Sequence, residues 1–121
     1  MSRFESLNKI LRSLQSASPD MEACALISED GLMIASVLPQ HIDEARVAGM
    51  SATLSSLGAR AAAELERGEV DEVLVRGRQG YAVMMNAGSG TLLLCLASKQ
   101  AKLGLVFLDM HRAIEDVRKV L

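Results

Sequence analysis

The stretch 43-DEARVAGMSATLSSLGARAAAELER-67 decides how this chain is read. It scans as one long helix, with Asp43 as N-cap and Gly68 as the left-handed residue past its end. At about 3.6 residues per turn it divides into three sectors. Val47, Met50, Leu54, Leu57, Ala61 and Leu65 form a bulky stripe, expected to lie on a sheet. Ala45, Ala48, Ala52, Ser55, Ser56, Ala59, Ala62 and Ala63 form a second sector with hardly a large side chain. Arg46, Thr53, Arg60, Glu64 and Arg67 form a third, expected to face water. Helix propensity explains alanine but not Ser55, Ser56 and the neighbouring Gly58. A face this small gains by letting a second helix approach and pack many atoms at once.

Before this helix, Ser2 and Glu5 make a capping box, followed by the apolar series Phe4, Leu7, Ile10, Leu11 and Leu14. That helix is expected to end near Gln15 or Ser16, with a turn over Ser16–Asp20. Met21–Ser28 and Leu32–Val37 then read as two strands joined at Asp30-Gly31, because glycine accepts the positive φ of a tight hairpin. Pro39 stops the second strand. After the long helix come strands at Val70–Arg76, Tyr81–Ala87 and Thr91–Ala97, with turns at Gly77–Gly80 and Gly88–Gly90. A last helix from about Gln100 to Leu121 carries Leu103, Val106, Phe107, Met110, Ile114, Val117 and Leu121 on one stripe. Glu115 and Lys119 are spaced for an ion pair on its wet face.

The order is α-β-β-α-β-β-β-α, with antiparallel neighbours at each tight turn. Met21–Ser28 and Thr91–Ala97 are apolar on both faces, so they are expected side by side at the sheet centre, under helices on both sides. Val70–Arg76 places Val73 and Val75 on one face and Glu72, Leu74 and Arg76 on the other. That charged alternation fits an edge strand, whose open backbone groups need a partner or a cover.

Composition narrows the function. A chain of 121 residues, half of them hydrophobic, is expected to form one domain over 1–121. Its net charge of −2, with no basic run, argues against a nucleic-acid partner. Phe4, Tyr81 and Phe107 are the only aromatics, too few for a single-strand stacking platform. No apolar stretch approaches the roughly 20 residues of a membrane span. The first fourteen residues contain no apolar block, so no signal peptide is expected and the protein is read as cytoplasmic. Cys24 and Cys95 lie in apolar runs and read as buried, reduced thiols.

No catalytic pattern emerges. His41 and His111 are isolated from each other and from any nucleophile or second metal ligand, so neither a metal nor a cofactor is expected. Gly77-Arg78-Gln79-Gly80 and Gly88-Ser89-Gly90 lack the strand-to-helix context and Lys-Ser/Thr ending of a phosphate loop. Glu64/Glu66 and Asp71/Glu72 read as solvated carboxylates, and Arg60 as a surface partner of Glu64. Met50 and Met84 fit core stripes, while Met85 fits a core or a binding surface.

Three segments in this order resemble the Roadblock (dynein light-chain) domain family, most closely its bacterial MglB-like members. They are Ala25–Ser36 (ALISEDGLMIAS), Leu54–Ala62 (LSSLGARAA) and Leu103–Val106 (LGLV). The resemblance spans essentially the whole chain. It implies an α+β fold with a five-stranded antiparallel sheet of order 2-1-5-4-3, the long helix on one face and the terminal helices on the other. It also implies a twofold homodimer in which third strands pair and long helices lie side by side. On this chain that puts Ala48, Ala52, Ser55, Ser56, Ala59, Val73 and Val75 at the interface. MglB-like proteins bind small Ras-like GTPases and stimulate hydrolysis by reshaping the GTPase, without an inserted arginine. The resemblance therefore implies a non-enzymatic regulator that docks a GTPase through Arg46, Thr53, Arg60 and Glu64. Two rival expectations are a structural adaptor of dynein light-chain type and a small-molecule sensor with a ligand between its layers.

Overall fold

The computed structural model describes residues 1–121. Three helices and five strands follow in the order α1 (Arg3–Ser16), β1 (Met21–Ser28), β2 (Met33–Val37), α2 (Glu44–Glu64), β3 (Val73–Gly77), β4 (Gly80–Gly88), β5 (Thr91–Ser98) and α3 (Leu103–Val120). The strands form one antiparallel sheet of order β2-β1-β5-β4-β3. β1 and β5 are neighbours inside it, as their two-sided apolarity requires, and β3 lies at an edge. Local chemistry fixes the ends of several elements. The Ser2 hydroxyl accepts the Glu5 amide at 3.1 Å, and the Asp43 carboxylate accepts the Arg46 amide at 3.2 Å. Gly31, at φ 87°, makes the β1–β2 turn.

Strand alternation sorts the core into two unequal layers. Nineteen buried residues lie on the side of α1 and α3, among them Leu7, Leu11, Cys24, Leu26, Val83, Met85, Leu93, Cys95, Met110 and Val117. Only six lie on the α2 side: Ala25, Ile27, Ala48, Met84, Leu92 and Leu94. Five of those six come from strands, and the helix contributes an alanine.

This reverses the expected orientation of the long helix. Part of the small sector lies on the sheet, and of the bulky stripe only Val47 packs there with it. Ala48 and Ser51 are buried, and Ala52, Ser55, Gly58 and Ala62 are half-buried along the same side. The Ser55 hydroxyl reaches the Met84 sulfur at 3.9 Å. The rest of the expected stripe instead faces outward, with Met50, Leu54, Leu57 and Leu65 all exposed, so Met50 is no core residue. The reason is volume. Ile27, Met84, Leu92 and Leu94 already supply the bulk, and only a helix with short side chains can come down onto them.

Three boundaries also differ, the first being that α3 begins at Leu103 and not near Gln100. α2 ends at Glu64, and Glu66, at φ 59°, is the left-handed residue that closes it, while Gly68 takes its expected positive φ, 84°, two residues further on. The Arg67 amide donates to Ala62 O at 2.7 Å and the Glu66 amide to Ala63 O at 3.1 Å, the paired bonds of a Schellman end. With Glu64 and Glu66 at its negative pole and no basic residue in the last turn, further extension is disfavoured. β3 begins at Val73, opposite Met84, three residues later than expected.

Cys24 and Cys95 face each other across β1 and β5, both free and buried. The Cys24 thiol donates to Leu11 O at 3.2 Å, and burial pushes its pKa from 9.0 up to about 12. Burial, then the neighbouring Cys24 and Asp109, also pushes the Cys95 thiol up.

Two predictions follow from this packing. A Cβ on Gly58 would sit 2.7 Å from Val73 Cγ2, a branched atom with little room to move. Gly58→Ala is therefore expected to lower stability by about 1 kcal/mol in urea titration despite better helix propensity. Adding Val73→Ala removes the clash and is expected to recover the propensity gain from Gly58→Ala. The thiols make the second case. A thiol that ionises near 9.0 unfolded and near about 12 folded contributes fully below pH about 9, and that contribution declines as pH rises towards 12. The urea midpoint is expected to fall from pH 8.5 to 11 (roughly the span in which only the unfolded thiol ionises), and less steeply in Cys24→Ala.

Candidate protein–protein interface

With Ala48, Ser51, Ala52, Ser55, Gly58 and Ala62 turned inward, α2 exposes its outward side, the flank above β3, and an opposite flank of small residues, Ala45, Ser56, Ala59 and Ala63. Arg46, Thr53, Arg60 and Glu64 lie on its outward side, and all four are exposed. The Thr53 hydroxyl donates to Gly49 O at 2.9 Å and stays within the helix. Arg60 and Glu64 make no ion pair. The one salt bridge joins Lys119 to Asp116 at 4.0 Å, which also replaces the expected Glu115–Lys119 pair. Arg46 and Arg60 thus present cations that no carboxylate of the protomer holds.

The second sector is the flank of α2 above β3. Gly58 meets Val73 of β3, which fixes that side of the helix. Leu54 is one turn before Gly58, and Met50 and Leu57 border the same flank. Their exposures are 53% for Met50, 39% for Leu54 and 53% for Leu57. On β3, Val75 is 44% exposed on the α2 face and Leu74 is 41% exposed on the opposite face of the sheet. β3 has β4 on one side only, so its other side carries open amides and carbonyls. The opposite edge strand, β2, also has a neighbour on one side only, but its apolar side chains are spent inside: Ile34 and Val37 pack on the larger core layer and Met33 on the smaller. Bulky apolar side chains and an unpaired strand therefore coincide at one edge of the molecule.

The residues expected at an interface are distributed differently. Ala48 is 0% exposed beneath its own helix and has no surface to offer. Ala52 and Ser55 are half-buried toward their own sheet. Ser56 is exposed beside the β1–β2 turn, where it lines a hollow with Glu29, Asp30 and Gly31. Ala59 is exposed and lines a groove at the end of the sheet. Val73 is half-buried under α2, and Val75 is exposed at the open edge. The sequence reading missed Met50, Leu54, Leu57 and Leu74 as surface groups. Tracing alternation in the strands would have found them, since it shows a sheet face too full for leucines.

The groove beside Ala59 measures about 1150 Å³ and lies where β3 stops short of the far half of β4. Glu66, Glu69, Asp71, Glu115, His111 and Arg118 rim it, with Met84, Met85 and Leu92 below. It is open to solvent on one side, and α2, β4, β5 and α3 all contribute to its lining. His41 and His111 are exposed, and no three His, Cys, Asp or Glu side chains gather as metal ligands. No helix is long and apolar enough to cross a membrane.

Comparison with known proteins supports the same architecture. Residues 7–97 match the Roadblock/LC7 domain family. The uncharacterized protein MJ1340 of Methanocaldococcus jannaschii is 33% identical over 93 residues, covering 77% of this chain and 81% of that protein. A Roadblock/LC7 domain from Streptomyces avermitilis superposes with a TM-score of 0.85 at 26% identity, over 93% of this chain and 94% of its own. MglB from Myxococcus xanthus gives 0.87 at 22% identity, over 97% and 88% of the two chains, and so shares the fold. With its sheet order, its helical layers and most of its length accounted for in this way, the chain belongs to the Roadblock/LC7 domain family.

Proposed function

We propose that this protein is a homodimeric, non-enzymatic regulatory module that docks a small Ras-like GTPase in the cytoplasm and modulates its nucleotide cycle. The observation that carries the reading is the single edge where β3 lies open beneath exposed Met50, Leu54 and Leu57. A second copy placed there continues the sheet and covers both apolar flanks. Half-exposed side chains of this size gain about 1 kcal/mol each on burial. The ten from two copies would together be comparable to the cost of association, on the order of 4–15 kcal/mol. The strand ladder supplies the remainder and the direction of docking. This revises the interface inferred from sequence. Its helix contacts become Met50, Leu54 and Leu57, while Val73 and Val75 remain on the strand.

Dimerisation would set two α2 helices side by side, with their outward residues on one platform. Arg46 and Arg60 are free to meet carboxylates of a partner, and Thr53 and Glu64 lie among them. Regulation of a GTPase is supported by the likeness to MglB over nearly the whole chain, together with this platform. Arg60 is read as a docking residue and not as a group inserted beside the phosphates.

Two measurements test the proposal. Leu54→Lys with Leu57→Lys is expected to shift the protein from dimer to monomer in sedimentation while far-ultraviolet circular dichroism is unchanged. A dimer that persists at low micromolar concentration would exclude this edge. For the partner, purified small GTPases of the same genome are to be mixed with the protein in GTP- and GDP-loaded forms. A complex selective for one nucleotide state, with altered hydrolysis or exchange, is the expected result, and Arg46→Glu with Arg60→Glu is expected to weaken it at least about tenfold. A stable complex that leaves hydrolysis and exchange unchanged would favour the adaptor reading. No nucleotide-dependent complex with any of them would end the GTPase assignment.

A further inference from the structure

The segment 69-EVDEVLVRGR-78 is acidic before its apolar centre and basic after it. An antiparallel copy of such a strand meets the opposite charge at each end, whereas a parallel copy meets like charge. The ladder restricts the possibilities further. Arg78 and Gln79 form a two-residue turn between Gly77 and Gly80, which are paired. Alternation from that hydrogen-bonded pair points the amides and carbonyls of Val75 and Val73 toward β4. Those of Leu74 and Arg76 then point to the open side, and Glu72, the residue just before β3, falls in the same phase. Only residues of this second set can exchange hydrogen bonds with a strand added at the edge.

We propose that charge order sets the register of self-association: a second copy docks antiparallel with Leu74 on the twofold axis, and Glu72 of each protomer faces the partner's Arg76. This rests on the homodimer reading above and assigns its specificity. Leu74 then meets the partner's Leu74, Val73 the partner's Val75 and Glu72 the partner's Arg76, so the central pairs are matched, and beyond them Asp71 faces the partner's Gly77. A shift by one pair of residues in either direction breaks the matching. Centred on Val73, it sets Glu72 against Leu74 and Asp71 against Val75. Centred on Val75, it leaves Glu72 opposite an arginine, Arg78 of the turn, but sets apolar Leu74 against Arg76 at both places. Neither Glu72 nor Arg76 has an ion-pair partner in its own protomer, so both are free for this role. The same twofold axis keeps both α2 helices on one side of the joined sheet, where their apolar flanks can meet. Chains lacking this charge order at the edge strand would be rejected as partners, since like charges directly opposite are destabilising.

The test is a charge exchange between copies of the full chain. Glu72→Arg alone and Arg76→Glu alone each set like charges at both ends of the strand pair. Each is expected to weaken homodimerisation on the order of tenfold in sedimentation. An equimolar mixture of the two variants restores opposite charges at both contacts, so heterodimers are expected to dominate, as native mass spectrometry would count. Raising salt is expected to reduce that preference, because exposed pairs are screened beyond a Debye length of about 8 Å at physiological ionic strength. Two variants that homodimerise as tightly as the wild type, with statistical mixing, would overturn the register while leaving the dimer in place. A wild-type protein that is monomeric throughout would overturn the dimer and this inference together. Circular dichroism of each variant separates weakened association from unfolding.

Discussion

The structure depends on how closely α2 approaches the sheet. Ile27, Met84, Leu92 and Leu94 fill the face beneath it, so the helix can contribute little volume of its own. Ala48, Ser51, Ala52, Ser55 and Gly58 meet that requirement turn after turn. Gly58 is the tightest point, since any Cβ there would collide with Val73. Small side chains in a helix usually suggest a neighbouring helix, but here the neighbour is a sheet that carries the bulk itself.

Once that contact is made, the large residues of α2 other than Val47 have no place inside the protomer. Met50, Leu54 and Leu57 are displaced to the flank, next to β3, an edge strand whose outer backbone groups are open. Either feature alone would be weak. Scattered exposed leucines are ordinary, and an edge strand occurs in every open sheet. Their coincidence on one edge yields a surface with both an apolar patch and a directional hydrogen-bonding ladder. The outward side of α2 keeps its charges clear of that surface, so association and partner docking can use different residues of one helix.

Much of the fold was legible because its signals are local. Asp30-Gly31 and the glycine pairs near 77–80 and 88–90 dictate turns whatever packs around them, and Ser2 and Asp43 cap their helices within a few residues. The two-sided apolarity of β1 and β5 likewise placed them together at the centre. Orientation of α2 was not legible from its own sequence, since its three sectors are equally compatible with either bulky or small contact. The choice is made by side chains 20 to 50 residues away, those of Ile27, Met84, Leu92 and Leu94. The end of the helix was misplaced for a related reason. Gly68 is the better residue for a left-handed turn, yet acidic Glu64 and Glu66 and exposed Leu65 gave the chain nothing to gain by continuing to it. Candidate site residues were legible as polar or charged groups on a helix, but their partners were not.

The unequal layers also bear on how association and stability are linked. α1 and α3 share a core of nineteen buried residues with the sheet, whereas α2 sits over only six. Local opening free energy follows buried apolar contact, so the α2 layer is the more easily opened of the two. That layer also carries the surface a second copy would cover. Binding to the folded form stabilises it by mass action, and the gain falls on the elements that make the contact. A dimer would thus reinforce the weaker layer and hold Arg46, Thr53, Arg60 and Glu64 on a firmer platform. In a lone protomer the same residues would ride on the more weakly anchored helix, so the quality of the docking face would depend on whether the edge is filled.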